Sequence, residues 1–203
     1  MGDSSLFLTR ILDVLCEGGD RIAFAHRSRS MTYQETFDTL RRLHTTLKNE
    51  GVTPGETVAI IGGNMPETIL LQIAAQLRGA RVVHRDDVAC GDGVDADHVL
   101  SSDPDCGPLV KGRGTNVVES DIVMPRAVET LFPTAGESVI SLSEEYEEMA
   151  RTVTPHPDGP QQVLLIAPMS HPIGNRITLK ALLAGDTVLL HEHAPETVPS
   201  AAH

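Results

Sequence analysis

His171 is the residue best placed to do chemistry. It stands in Pro168-Met-Ser-His-Pro-Ile-Gly174, after the apolar run Val163-Leu-Leu-Ile-Ala167 and before a helical segment. Parallel α/β sheets gather ligands at the carboxyl ends of their strands, so an imidazole there can act as a base or touch a substrate. The plainer role is a loop histidine that caps or packs. No acid, base or metal ligand lies beside it in sequence, and on this residue alone the plainer role prevails.

Other candidates are weaker. Gly136-Glu-Ser138 has the start of a nucleophile elbow, but the glycine that should stand at position 140 is Ile140. Gly112-Arg-Gly114 is too short for a dinucleotide fingerprint and follows no clear strand. Asp92, Asp95 and Asp97 lack calcium-loop spacing. His191, Glu192 and His193, with His203 nearby, form only a weak metal pattern in a solvated tail, so no metal site is expected. The acidic run from Ser143 to Glu148 reads as an exposed helix face.

The elements that would position His171 are legible from periodicity. Leu8, Ile11, Leu12 and Leu15 share one face of a helix over 6–15. Arg21–His26 is a short strand. Thr32-Tyr-Gln-Glu35 is a capping box opening a helix with Thr36, Leu40, Leu43 and Leu47 as its stripe, ended by Gly51. Pro54-Gly55 turns the chain into a buried parallel strand, Thr57-Val-Ala-Ile-Ile-Gly62. Asn64 is expected to cap the next helix, with Pro66 in its first turn and Gly79 as its stop. Residues 80–83 form another strand. The alternation predicts an α/β fold with a mostly parallel sheet flanked by helices. Between residues 84 and 118 the pattern weakens to long loops, with one short helix expected near Ala96–Leu100. Ser141-Leu-Ser-Glu144 opens a further helix. A linker, the strand ending at Ala167, a helix over Asn175–Leu183 and the strand Asp186–Leu190 complete the chain. The expected organisation is one domain over 1–203, with coarse subregions 1–120 and 121–203 and a frayed tail over 191–203.

Composition narrows the function. The 203 residues carry a net charge of −12, four Phe, two Tyr and no Trp. An acidic, aromatic-poor surface disfavours nucleic acid, which needs cations and stacking platforms. It equally disfavours anionic membranes. Cys16, Cys90 and Cys106 form no CxxC pair and fit free thiols in a reducing, cytoplasmic setting.

Two blocks together carry a family resemblance. Residues 31–83 and the block Leu164–Leu190 resemble the N-terminal part of adenylate-forming enzymes: acyl-CoA synthetases, nonribosomal-peptide adenylation domains and luciferases. The first block has a Thr-Tyr-x-Glu box, a Gly-Val-x-x-Gly turn with Glu56 in place of the usual Asp, and an Asn-x-x-Glu helix start. In the second, Pro168, His171 and Gly174 match a Pro-Leu-x-His-x-x-Gly motif, which implies that His171 lines an acyl-substrate pocket. The resemblance implies the fold of the N-terminal subdomains of those enzymes, and chemistry that uses ATP and Mg.

The departures from the family set the expected function. Its phosphate loop is rich in Ser, Thr and Gly and ends in Pro-Lys. The local counterpart is Thr134, Gly136, Glu137 and Ser138, with no Pro-Lys pair and a carboxylate among the hydroxyls. Phosphate cradles need free backbone N–H groups and a cation, and a carboxylate there repels triphosphate. The adenine-contacting segment, the ribose-binding Asp and the C-terminal domain with its catalytic Lys have no counterpart. The expectation is a truncated, catalytically silent relative with no catalytic residue and no cofactor, keeping a vestigial pocket at Pro168, His171 and Gly174. It would work by binding a protein partner or by self-association. One half of a split adenylating ligase and a small acyl-ligand module are the alternatives.

Overall fold

A computed structural model describes residues 4–26, 29–85, 95–101, 123–134 and 138–191. In chain order the elements are α1 (Leu6–Glu17), β1 (Ile22–His26), β2 (Arg29–Thr32), α2 (Tyr33–Asn49), β3 (Thr57–Ile61), α3 (Pro66–Leu77) and β4 (Arg81–Arg85). There follow β5 (His98–Ser101), β6 (Thr130–Pro133), β7 (Val139–Ser141), α4 (Ser143–Thr152), β8 (Gln162–Leu165), α5 (Pro172–Ala184) and β9 (Thr187–Leu190). The α/β class and the mostly parallel pairing are as expected from sequence. The strands form two sheets rather than one, ordered β2-β1-β9-β8 and β5-β3-β4-β6-β7. Among the described residues only the pairs β1–β2 and β6–β7 are antiparallel.

The helices make the layer between the sheets. α3 packs on β3 and β4 and on α2, while α2 packs on β1 and β2 of the other sheet. Every residue of α3 is buried, as its nearly continuous apolar run requires. The cost is that Gln72 and Gln76 are fully buried and need partners. The N-terminus of α1 is closed from α4: Glu147 accepts from the Ser5 hydroxyl at 2.7 Å and from the Leu6 N–H at 3.1 Å. A carboxylate at that end also complements the helix dipole.

Local signals hold where the interactions are local. The Thr32 hydroxyl accepts from the Glu35 N–H at 3.0 Å, and the Glu35 carboxylate accepts from the Thr32 N–H at 2.8 Å. Gly51, with φ of 88°, supplies the left-handed turn that ends α2.

Four expectations are corrected. The helix near Ala96–Leu100 is strand β5 instead. The open edge of β3 needed a partner, and Asp97 sets the register by donating its N–H to Thr57 O at 2.9 Å and accepting the Thr57 N–H on its carboxylate at 2.8 Å. Asn64 does not cap α3; Met65 occupies that position without a side-chain hydrogen bond. Ser141 closes β7, and α4 begins at Ser143. α5 begins at Pro172, which places Asn175 inside the helix rather than at its start.

Candidate functional site

The residues from Pro168 to Gly174 form one tight turn between β8 and α5. The His171 N–H donates to Pro168 O at 3.1 Å, and His171 O accepts from the Asn175 N–H at 3.0 Å as the helix begins. Pro172 suits the first helical position, because its fixed φ is helical and no N–H is wasted there. His171 is the N-cap residue: its Nδ1 accepts from the Ile173 N–H at 3.3 Å. That bond requires an unprotonated Nδ1, and the ring itself is exposed. Gly174 is there for space. A Cβ at that position would overlap Pro168 O and come within 2.7 Å of Ala167 O. The structure thus brings Pro168, His171 and Gly174 together in a turn that seats α5 against the end of β8.

Asn64 fixes this turn from the other sheet. Its Oδ1 accepts from the Met169 N–H at 2.9 Å. Its Nδ2 donates to Ala167 O at 3.2 Å and to His191 O at 3.0 Å. One buried amide therefore joins the loop after β3 to the carboxyl ends of β8 and β9.

Beneath the turn lies a closed ring of buried hydrogen bonds drawn from three helices. Gln72 Nε2 of α3 donates to the Tyr146 hydroxyl of α4 at 3.2 Å. That hydroxyl donates to Asn175 Oδ1 of α5 at 2.6 Å. Asn175 Nδ2 returns to Gln72 Oε1 at 2.6 Å and also approaches Met169 O at 3.4 Å. His84 of β4 joins through Nε2, 2.7 Å from Gln72 Oε1, and its ring stacks on Phe132 with centroids 5.0 Å apart.

A carbonyl oxygen can only accept, so His84 Nε2 carries the proton and Nδ1 is bare. Nδ1 is buried and has no partner among the described residues. Burial lowers the His84 pKa from 6.5 to about 3, so the ring is neutral. Burial likewise holds the Tyr146 phenol well above its ordinary value. No sequence motif marks Gln72, His84 or Tyr146 as site residues, and the pattern around Asn175 indicates only a helix start. The available signal is the pair Gln72 and Gln76 inside the otherwise apolar stretch from Ile69 to Leu77.

Of the candidate phosphate-loop residues, Thr134 and Ser138 lie on the other sheet, at the ends of β6 and β7. The Thr134 N–H donates to Ser138 O at 2.9 Å, and its hydroxyl meets both Ser138 O, at 3.0 Å, and the Ser138 hydroxyl. Thr134 and Ser138 therefore close the hairpin on each other. Gly136 and Glu137 lie outside the described residues, as do Asp92, Gly112, Gly114, Glu192, His193, His203, Cys90 and Cys106. Among the described residues no three His, Cys, Asp or Glu side chains gather as a metal site. No helix among them is long and apolar enough to cross a membrane.

Known proteins share this fold. Residues 15–91 match the AMP-binding enzyme family. No curated protein matches the chain by sequence. The N-terminal subdomain of Klebsiella oxytoca NpsA, in complex with 3-hydroxyanthranilyl-AMSN, is similar with a TM-score of 0.76 and 19% identity, over 92% of this chain and 53% of that one. NpsA-ThdA, an artificially fused adenylation-PCP di-domain from Klebsiella oxytoca, gives 0.73 and 19% over 95% and 40%. The nonribosomal peptide synthetase FmoA3 in an AMPPNP-bound form gives 0.68 and 16% over 93% and 23%. The chain spans about half the length of the NpsA subdomain it matches. The chain shares its fold with about half of the NpsA N-terminal subdomain, and its residues 15–91 match the AMP-binding enzyme family in sequence.

Proposed function

We propose that the chain is a catalytically silent adenylate-forming-enzyme-like scaffold that binds a protein partner or a second copy of itself. The observation that carries this reading is the first sheet. Its strands β1, β9 and β8 are mutually parallel, yet Leu164 and Ile166 at the β8 edge are each 56% exposed. Parallel sheets are normally covered on both faces, and uncovered apolar surface marks interfaces.

The use of the candidate groups supports silence. His171 Nδ1 is engaged in capping α5, and the Thr134 and Ser138 hydroxyls bond each other. The sequence adds Glu137 where a triphosphate needs amides and a cation. No cofactor is expected.

Two measurements test the reading. Pyrophosphate exchange driven by aryl, fatty or amino acids should be absent, and exchange by the isolated chain would overturn catalytic silence. The native mass should exceed the monomer, or a partner should co-purify at fixed stoichiometry. A strictly monomeric chain that captures no partner would remove the scaffold role.

A second reading, one half of a split adenylating ligase, is favoured by the coverage of only about half of the matched NpsA subdomain. It requires exchange to appear when a complementary chain is added.

A further inference from the structure

One row of the outer face of the first sheet is a gradient in side-chain size. Register aligns Ser30 of β2, Ala25 of β1, Leu189 of β9 and Leu164 of β8 in one row. The opposite face holds Leu165 and Leu190, both buried, with α5 packed on β8 and β9. The outer row bears no charge, in a chain whose net charge is −12. Its residues are small on the β2–β1 side and large on the β9–β8 side, where Ile166 extends the large half just beyond the strand.

We propose that a second copy of this chain covers this face, related by a two-fold axis running parallel to the strands. The proposal rests on the reading of the chain as a self-associating scaffold and names the surface and the geometry. An uncharged face is one place where two copies of so acidic a chain can meet without local repulsion. Face-to-face sheets pack about 10 Å apart with strands nearly aligned, their side chains interdigitating. An axis along the strands lays β8 of one copy over β2 of the other. Leu164 then meets Ser30 and Leu189 meets Ala25, large on small, twice over by symmetry. An axis across the strands would instead stack Leu164 on Leu164 and leave a gap between the two Ser30 side chains.

The test uses the full chain in two arms. Sedimentation equilibrium over a wide concentration range should show a monomer–dimer equilibrium. Leu164→Glu should raise its dissociation constant by roughly a hundredfold, because the carboxylate would be buried without a partner. Leu164 is exposed in the single chain, so the variant should keep the wild-type circular dichroism, and its melting temperature should match wild type at concentrations where both are monomers. In the second arm, Cys16, Cys90 and Cys106 are replaced by serine. Chains carrying Ser30→Cys are then mixed with chains carrying Leu164→Cys and treated with a short bis-maleimide.

The expected product is the mixed dimer, with little Leu164→Cys homodimer. A dimer that survives Leu164→Glu, or that cross-links Leu164→Cys to itself, overturns this surface and axis while leaving self-association standing. A chain that stays monomeric at every concentration overturns the inference and the self-association reading together.

Discussion

The Tyr146 hydroxyl donates to Asn175 Oδ1 across 2.6 Å, and this bond joins α4 to α5 in the buried layer between the sheets. It is one side of a triangle closed by Gln72, so no member can be lost without stranding two others. Tyr146→Phe removes one oxygen and little volume. It leaves the Gln72 N–H and Asn175 Oδ1 without that partner in a site closed to water. The expected loss is about 1–3 kcal/mol, read as a fall in the urea midpoint with an unchanged slope. An unchanged midpoint would mean that the ring is not formed.

His84 makes the same layer sensitive to acid. Its folded pKa of about 3 lies below the ordinary 6.5, so the unfolded chain takes up the proton more readily than the folded one. The stability linked to this group is fully present above pH 6.5. It is lost as the pH falls from there toward 3, at a limiting slope of about 1.4 kcal/mol per pH unit. Urea titrations at a series of pH values across that window should show the loss in the wild type. His84→Gln should be less steep by about that slope, and equal slopes in both proteins would rule out His84 as the source.

Gly174 should tolerate no side chain. A Cβ at that position overlaps the Pro168 carbonyl, which is backbone and cannot swing aside. Gly174→Ala must move α5 away from β8 or deform the turn, and it should cost about 1–3 kcal/mol as an overpacked core site does. In an exposed helix the same change is stabilising by about 0.5–1 kcal/mol. The sign of the effect in thermal unfolding therefore decides whether the turn has the geometry described.

What was legible in the sequence follows the range of the interaction. The Thr32–Glu35 capping box spans three residues, and its two bonds are the ones its pattern predicts. α3 was legible because a long apolar run between Pro66 and Gly79 leaves few alternatives. Asn64 carries a good cap residue's side chain, but its partners lie at Ala167, Met169 and His191, far along the chain. No local pattern distinguishes that use from capping. Strand β5 is illegible for a related reason, since four residues become a strand only when β3 offers an edge. The buried ring draws on residues 72, 84, 146 and 175, and periodicity could reveal only that Gln72 was out of place.

Asn64 therefore has a long-range consequence. Asn64→Ala removes the acceptor for the Met169 N–H and leaves it buried. The β8–α5 turn should open locally while the remote capping box stays intact. Hydrogen exchange should show faster exchange at the Met169 amide with little change at Glu35, whose amide is bonded within its own box. Equal acceleration at both would indicate global destabilisation instead of a released turn.

His171 offers a test of capping against ligand contact. Its Nδ1 satisfies the Ile173 N–H, a task that asparagine performs at least as well. His171→Ala should cost about 1 kcal/mol, within the usual range for a lost cap. His171→Asn should recover most of that loss in the melting temperature. If stability follows this order and neither variant alters any measured binding of aryl or fatty acids, capping accounts for the residue. A His171→Asn chain as stable as wild type that has lost acid binding would instead assign the exposed face of the ring to a ligand. The outcome separates the two roles because asparagine keeps the acceptor at the helix end and removes the imidazole.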